Sequence, residues 1–189
     1  MIRRSMLVAL VVIVAAACTS TPDIHYYTLD LRASGEARTE CPVTMERFRV
    51  SDPLARSQIL VQAAPTRIEY YATDEWAGNL GAMVAKKLGA ELGADGHAEP
   101  AFQVGGTVLE CGQVDAGGAT EARMALQIIA RAMDGQVVLK RVYRPTERAR
   151  GASAGAVVAA LARAAASLAA GLGRGLGPGW RTGGGGQRG

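Results

Sequence analysis

Few residues in this chain could do chemistry. Among 189 residues there are three cysteines, Cys18, Cys41 and Cys111, and two histidines, His25 and His97. Nucleophilic catalysis needs a serine, cysteine or threonine beside a base that a third group holds in place, and no such set is read here. His97 falls in Asp95-Gly96-His97-Ala98-Glu99-Pro100, read as an exposed loop, and His25 sits near the amino-terminal end. The pair Gly105-Gly106 lies inside a strand pattern with no helix directly after it, so a nucleotide-cradling loop fails on context. Asp74 and Glu75 could be asked to act as acid and base, but their place before an apolar helical repeat reads as a helix cap. No second cysteine stands at metal-ligand spacing. The chain therefore reads as non-enzymatic, with no metal and no cofactor.

One thiol remains with a chemistry of its own. Arg3 and Arg4 precede an apolar run from Met6 to Ala17, and Ala15-Ala16-Ala17 leads into Cys18. This is the layout of a secretory signal, and its run is too short to span a bilayer, which takes about 20 residues. Small residues ending at a cysteine resemble the bacterial lipoprotein signal, in which that cysteine is acylated and becomes the first mature residue. Ala15-Ala16-Ala17 also fits ordinary signal peptidase, so release as a soluble protein stays open. With acylation, Cys18 carries covalent acyl chains that anchor the protein to a membrane. Thr19 follows it in place of the Asp that retains lipoproteins in the inner membrane, which points to the outer membrane on its periplasmic side.

Processing would remove residues 1–17 and leave 172, the size of one domain. The formal charge of +4 falls to +2 when Arg3 and Arg4 leave, and Arg174, Arg181 and Arg188 lie in a glycine-rich stretch. The body is near neutral, with no electrostatic footprint for nucleic acid. In an oxidising compartment Cys41 and Cys111 form an even remainder and are expected to pair, two separate buried thiols being the alternative.

The parts follow as a signal peptide (1–17), a short lipidated tether (18–23), one domain (24–173) and a disordered Gly-rich tail (174–189). Within the domain, Ile24–Leu31 alternates as a strand, and Val43–Val50 changes phase near Glu46. Gln58–Ala63 and Thr66–Ala72 form a hairpin around Pro65. Asp74–Leu92 repeats apolar residues at three and four, with Lys86, Lys87 and Glu91 expected to reach water. Strands from Phe102, from Met124 and from Val137 make an antiparallel meander through Gly117-Gly118 and Asp134-Gly135. Gly151–Gly173 is an Ala-rich helix whose Arg163 argues against spanning a membrane. The expected fold is α+β: a largely antiparallel mixed sheet packed by two helices around Trp76 and Leu161. Tyr26-Tyr27 and Tyr70-Tyr71 read as packing residues or, alternatively, as a partner-binding surface, since tyrosine anchors interfaces.

The order of these pieces resembles a known family. A cysteine after a signal, a short tether, Tyr26-Tyr27-Thr28-Leu29, then Ile68-Glu69-Tyr70-Tyr71 and Asp74-Glu75-Trp76-Ala77 before a helix, a meander and a carboxy-terminal helix are similar to the ABC-type transport auxiliary lipoproteins, the paraquat-inducible lipoprotein C type among them. The resemblance runs from about Cys18 to Leu172. It implies a non-enzymatic periplasmic component that docks on the MCE-domain protein of a system moving phospholipids or other hydrophobic compounds between membranes. A lipid-binding carrier and an assembly lipoprotein of another envelope machine are the rival readings. Self-association into a homo-oligomer stays open.

Overall fold

The computed structural model describes residues 22–35, 37, 39, 42–94, 99–116 and 118–176. Among these, nine strands form one open mixed sheet and two helices pack on it, an α+β fold in a single domain.

The meander is the frame. Strands β6 (Phe102–Ala116), β7 (Ala119–Ala132) and β8 (Val137–Tyr143) run antiparallel in succession, as their alternation predicts. On β7, Ala122, Met124, Leu126, Ile128 and Ala130 are buried, and Arg123, Gln127 and Arg131 face the other way. The far edge of β6 is shared by three short strands, all parallel to it. β2 (Val43–Met45) lies beside Phe102–Val104, β3 (Arg49–Val50) beside Thr107–Val108 and β4 (Gln58–Ala64) beside Gly112–Val114. The phase change near Glu46 is the gap between β2 and β3, where Glu46 N still donates to Val104 O at 2.8 Å. β5 (Arg67–Trp76) forms the expected hairpin with β4, and β1 (His25–Tyr27) adds in parallel outside β5. The path β1-β5-β4-β6-β7-β8 therefore has β1 and β8 as its edges, and β9 (Thr146–Arg148) lies beside Glu121–Arg123 of β7.

Helix α1 (Leu80–Leu92) begins later than the expected Asp74. Thr73, Asp74 and Glu75 cap nothing; they continue β5, because β1 pairs with Asp74–Trp76 and Trp76 N donates to Ser57 O at 2.7 Å. Sheet pairing outweighs a local capping preference here, and Asn79 takes over, its side chain accepting from Ala82 N at 2.9 Å. Gly93 ends α1 with φ +73° as expected. Helix α2 (Ala154–Gly175) is capped by Ser153 and buries Val157, Leu161, Ala165, Leu168 and Leu172. Its length and composition would suffice to cross a bilayer, but this apolar stripe is taken up by the sheet and α1. Arg174 and Gly175, assigned to the tail, complete the helix, and Leu176 beyond them is buried. Both Trp76 and Leu161 belong to the core.

The strand expected over Ile24–Leu31 stops at Tyr27. From Thr28 to Gly35 the chain is a strap from the sheet edge to the helices, with Leu29 fully buried.

Of the expected Cys41–Cys111 pair, Cys41 lies outside the described residues. Cys111 is a free, buried thiol, and burial pushes its pKa up to about 12. We expect it to resist alkylating reagents at pH 8 until the chain unfolds. A reductant should leave the thermal midpoint of the purified protein unchanged; a drop of several degrees would mean that a bridge had been broken.

Candidate docking face

The four tyrosines singled out in the sequence do not assemble into one surface. On adjacent strand positions side chains point to opposite faces, and each pair is split accordingly. Tyr27 turns to the helix side, where its ring lies 3.7 Å from the position a Cβ on Gly155 of α2 would occupy. Its hydroxyl hydrogen-bonds to Asp74, and this bond, then burial and the Asp74 charge, hold the phenol above its usual pKa of 10. Tyr71 is on the same side: its hydroxyl donates to Gln113 Oε1 and lies 2.9 Å from Ala152 O just before α2. Burial, with Asp74 and Asp115 nearby, pushes its pKa up to about 12. Gln113, itself buried, passes the network on by donating from Nε2 to Asp115 Oδ1 at 2.8 Å. These two tyrosines fasten β1, β5 and β6 to the start of α2.

Tyr70 faces the other way, donates its hydroxyl to Pro53 O at 2.9 Å, and carries the Arg56 guanidinium 4.7 Å from its ring centroid. It holds down the turn before β4. Only Tyr26 is left to solvent, 64% exposed on the edge strand, beside Ile24 at 44%. Cys18 and His97 lie outside the described residues, and His25 is on β1 with Nδ1 3.8 Å from Asp74 Oδ1.

Two features escaped the sequence reading. Lys87 and Glu91, expected to reach water, are buried between the strap and the helices. Lys87 Nζ stands 2.7 Å from Glu91 Oε1 and donates to Arg32 O at 2.8 Å, while Glu91 Oε2 accepts from Ser34 N at 2.8 Å and Ser34 Oγ at 2.7 Å. The signal was available, because Leu80, Val84, Lys87, Leu88 and Glu91 share one helical stripe. The second is Gly151-Ala152-Ser153-Ala154-Gly155, which has the Gly-x-Ser-x-Gly spacing of a nucleophile elbow. An elbow serine is strained and exposed on a sharp turn; Ser153 has φ −75° and its Oγ accepts from Ala156 N at 3.3 Å, an ordinary helix cap. Among the described residues no three His, Cys, Asp or Glu side chains converge as metal ligands.

These elements define an open-sheet α+β domain with β1 as one edge strand. The chain belongs to the family described as the ABC-type transport auxiliary lipoprotein component, whose model matches residues 27–172. Its fold is similar to that of a protein from Xanthomonas campestris, with a TM-score of 0.65 at 16% identity over 79% of this chain and 91% of that one. A second structure, of an uncharacterised protein, aligns with a TM-score of 0.65 at 17% identity over 81% of this chain and 98% of the other. No curated protein matches the chain.

Proposed function

We propose that this chain is a membrane-anchored periplasmic lipoprotein that serves, without enzymatic activity, as the docking component of an ABC transport system built around an MCE-domain protein and moving phospholipid or another hydrophobic compound. The observation that carries the reading is the family match over residues 27–172, which begins nine residues after the cysteine that closes the signal-like leader. More than one acyl chain on Cys18 makes the hold on the outer membrane stable, where a single chain is marginal. The folded part then works by contact with its partner.

The test is Cys18→Ser in the full-length gene. The variant is expected in the soluble periplasmic fraction with an unacylated amino terminus by mass spectrometry, and to lose co-purification with the MCE-domain protein from membranes. Retention in the membrane fraction would sink the anchor. A second reading, a lipid carrier, is favoured by an open cavity of about 640 Å³ between α1 and β2, apolar at Val43, Met45, Ala85 and Gly89 with Lys86 at its rim; ligand pockets run to about 300–1,000 Å³. Co-purifying lipid in native mass spectra would favour the carrier over the dock.

A further inference from the structure

We propose that the β1 edge of the sheet is the side this protein lays against the bilayer, with Ile24 and Tyr26 seated among the lipid headgroups. The inference rests on the anchoring through Cys18 proposed above and adds an orientation and a contact.

The length of chain between anchor and fold sets the geometry. Cys18 precedes Ile24 by six residues, which reach at most about 20 Å whatever their conformation. An acylated Cys18 therefore holds β1 close to the lipid surface. Strand β1 is one edge of the path β1-β5-β4-β6-β7-β8, so the other edge, β8, stands five strand spacings off, about 24 Å. The edge cannot swing away independently of the body. Its strap is clamped by Lys87 Nζ on Arg32 O and by Glu91 on Ser34, and Tyr27 is bonded to Asp74.

The chemistry of the edge suits a headgroup layer and no deeper. Tyr27 O accepts from Ala77 N at 2.8 Å, so by alternation the N–H and C=O of Tyr26 point away from β5, out of the sheet. Unpaired backbone groups are excluded from hydrocarbon, while the headgroup region supplies water, phosphate and ester oxygens. Tyrosine, apolar in body and polar at its tip, is enriched at that depth. Asp23, exposed, and Glu75, paired with Tyr26 across the ladder, also keep the contact shallow.

The experiment uses the full-length protein, purified from membranes and placed in vesicles of phosphatidylethanolamine and phosphatidylglycerol containing bromine-labelled phosphatidylcholine. Two exposed positions receive a reporter, Tyr26→Trp on the β1 edge and Val137→Trp on the β8 edge, with the signal of Trp76 and Trp180 in the parent chain subtracted. Bromine quenching is expected to be about twofold or more stronger at position 26, as for side chains held at the headgroup boundary. Equal quenching at both positions, or none at position 26 in protein whose mass shows the acyl chains, overturns the orientation alone. A mass without acyl chains removes the anchor and the orientation with it. Shielding of position 26 from lipid together with dimeric protein would assign the edge to a second copy and overturn the bilayer contact.

Discussion

Lys87→Ala is expected to cost about 3–5 kcal/mol, a large part of the stability of a domain this size, because it leaves a buried carboxylate without its cation. The lysine and glutamate side chains are 4% and 0% exposed, and among the described residues Glu91 Oε1 has no partner other than Lys87. Burial works to raise the Glu91 pKa, but the hydrogen bonds from Lys87 and Ser34 outweigh it and hold the carboxyl below its ordinary 4.5. A carboxylate with a lowered folded-state pKa contributes stability at neutral pH that is lost as pH falls below 4.5 through the folded value. In Lys87→Ala the carboxylate keeps the burial and loses its main partner, so it takes up a proton more readily and the penalty shrinks as pH is lowered. Urea unfolding at pH 7 and near pH 4.5 checks both parts. A deficit under about 1 kcal/mol at pH 7, or one that does not change with pH, would show that water reaches the pair. The double change Lys87→Met with Glu91→Leu removes both charges and should fall much closer to the parent, since apolar replacement of a buried pair is often neutral. Because both residues also grip the strap, the single variant should loosen Thr28–Gly35 first, visible as faster amide exchange there.

This pair marks where sequence reading reached its limit. The meander was legible because β7 alternates buried and half-buried residues over most of its length, and Gly118 and Gly135 stand where the chain must enter left-handed backbone. The two helices were legible from their apolar stripes. The start of α1 was not, since Thr73-Asp74-Glu75 has the local chemistry of a cap and only the arrival of β1, almost fifty residues earlier in the chain, turns it into strand. The same blindness applies to Lys87 and Glu91: in isolation they are solvated residues on a helix, and the strap that covers them is more than fifty residues away. The tyrosines were visible as a cluster in sequence, and alternation alone splits each pair between faces; which member meets the helices depends on the side the helices take. What sequence could show of the candidate site was how few residues separate Cys18 from Ile24 and Tyr26, because reach along a chain is a local property.

Gly106→Ala is expected to cost about 3–5 kcal/mol, strain and overpacking acting together. Gly106 faces Ile128 in the β6–β7 ladder with φ +150°, and a Cβ there would stand 1.8 Å from Gln127 O and 2.9 Å from its carbonyl carbon. The obstacle is backbone of the neighbouring strand, which no rotamer change can move. Relief would have to come from parting β6 and β7 in the middle of the sheet, where Val104, Val108, Leu126 and Ile128 are all fully buried. Gly105 is hemmed in differently: a Cβ there would lie 2.6 Å from Glu46 Oε2, the end of an exposed side chain that can step aside, and 3.1 Å from Glu46 Cβ, which has to give by only a few tenths of an ångström, so Gly105→Ala should be milder. Gly118 supplies the remaining control. It has φ +81° and nothing within 4 Å of an added Cβ, so Gly118→Ala isolates the backbone penalty, about 1–2 kcal/mol. The expected order of urea midpoints is therefore parent, then Gly105→Ala and Gly118→Ala, then Gly106→Ala last, with slopes unchanged if folding stays two-state. A Gly106→Ala midpoint no lower than that of Gly118→Ala would mean that β6 and β7 can separate cheaply at this point. Of the glycine pair that sequence pattern excludes as a phosphate loop, Gly106 meets the backbone of β7 and Gly105 the side chain of Glu46, so an added methyl group is expected to be borne at the second position and not at the first.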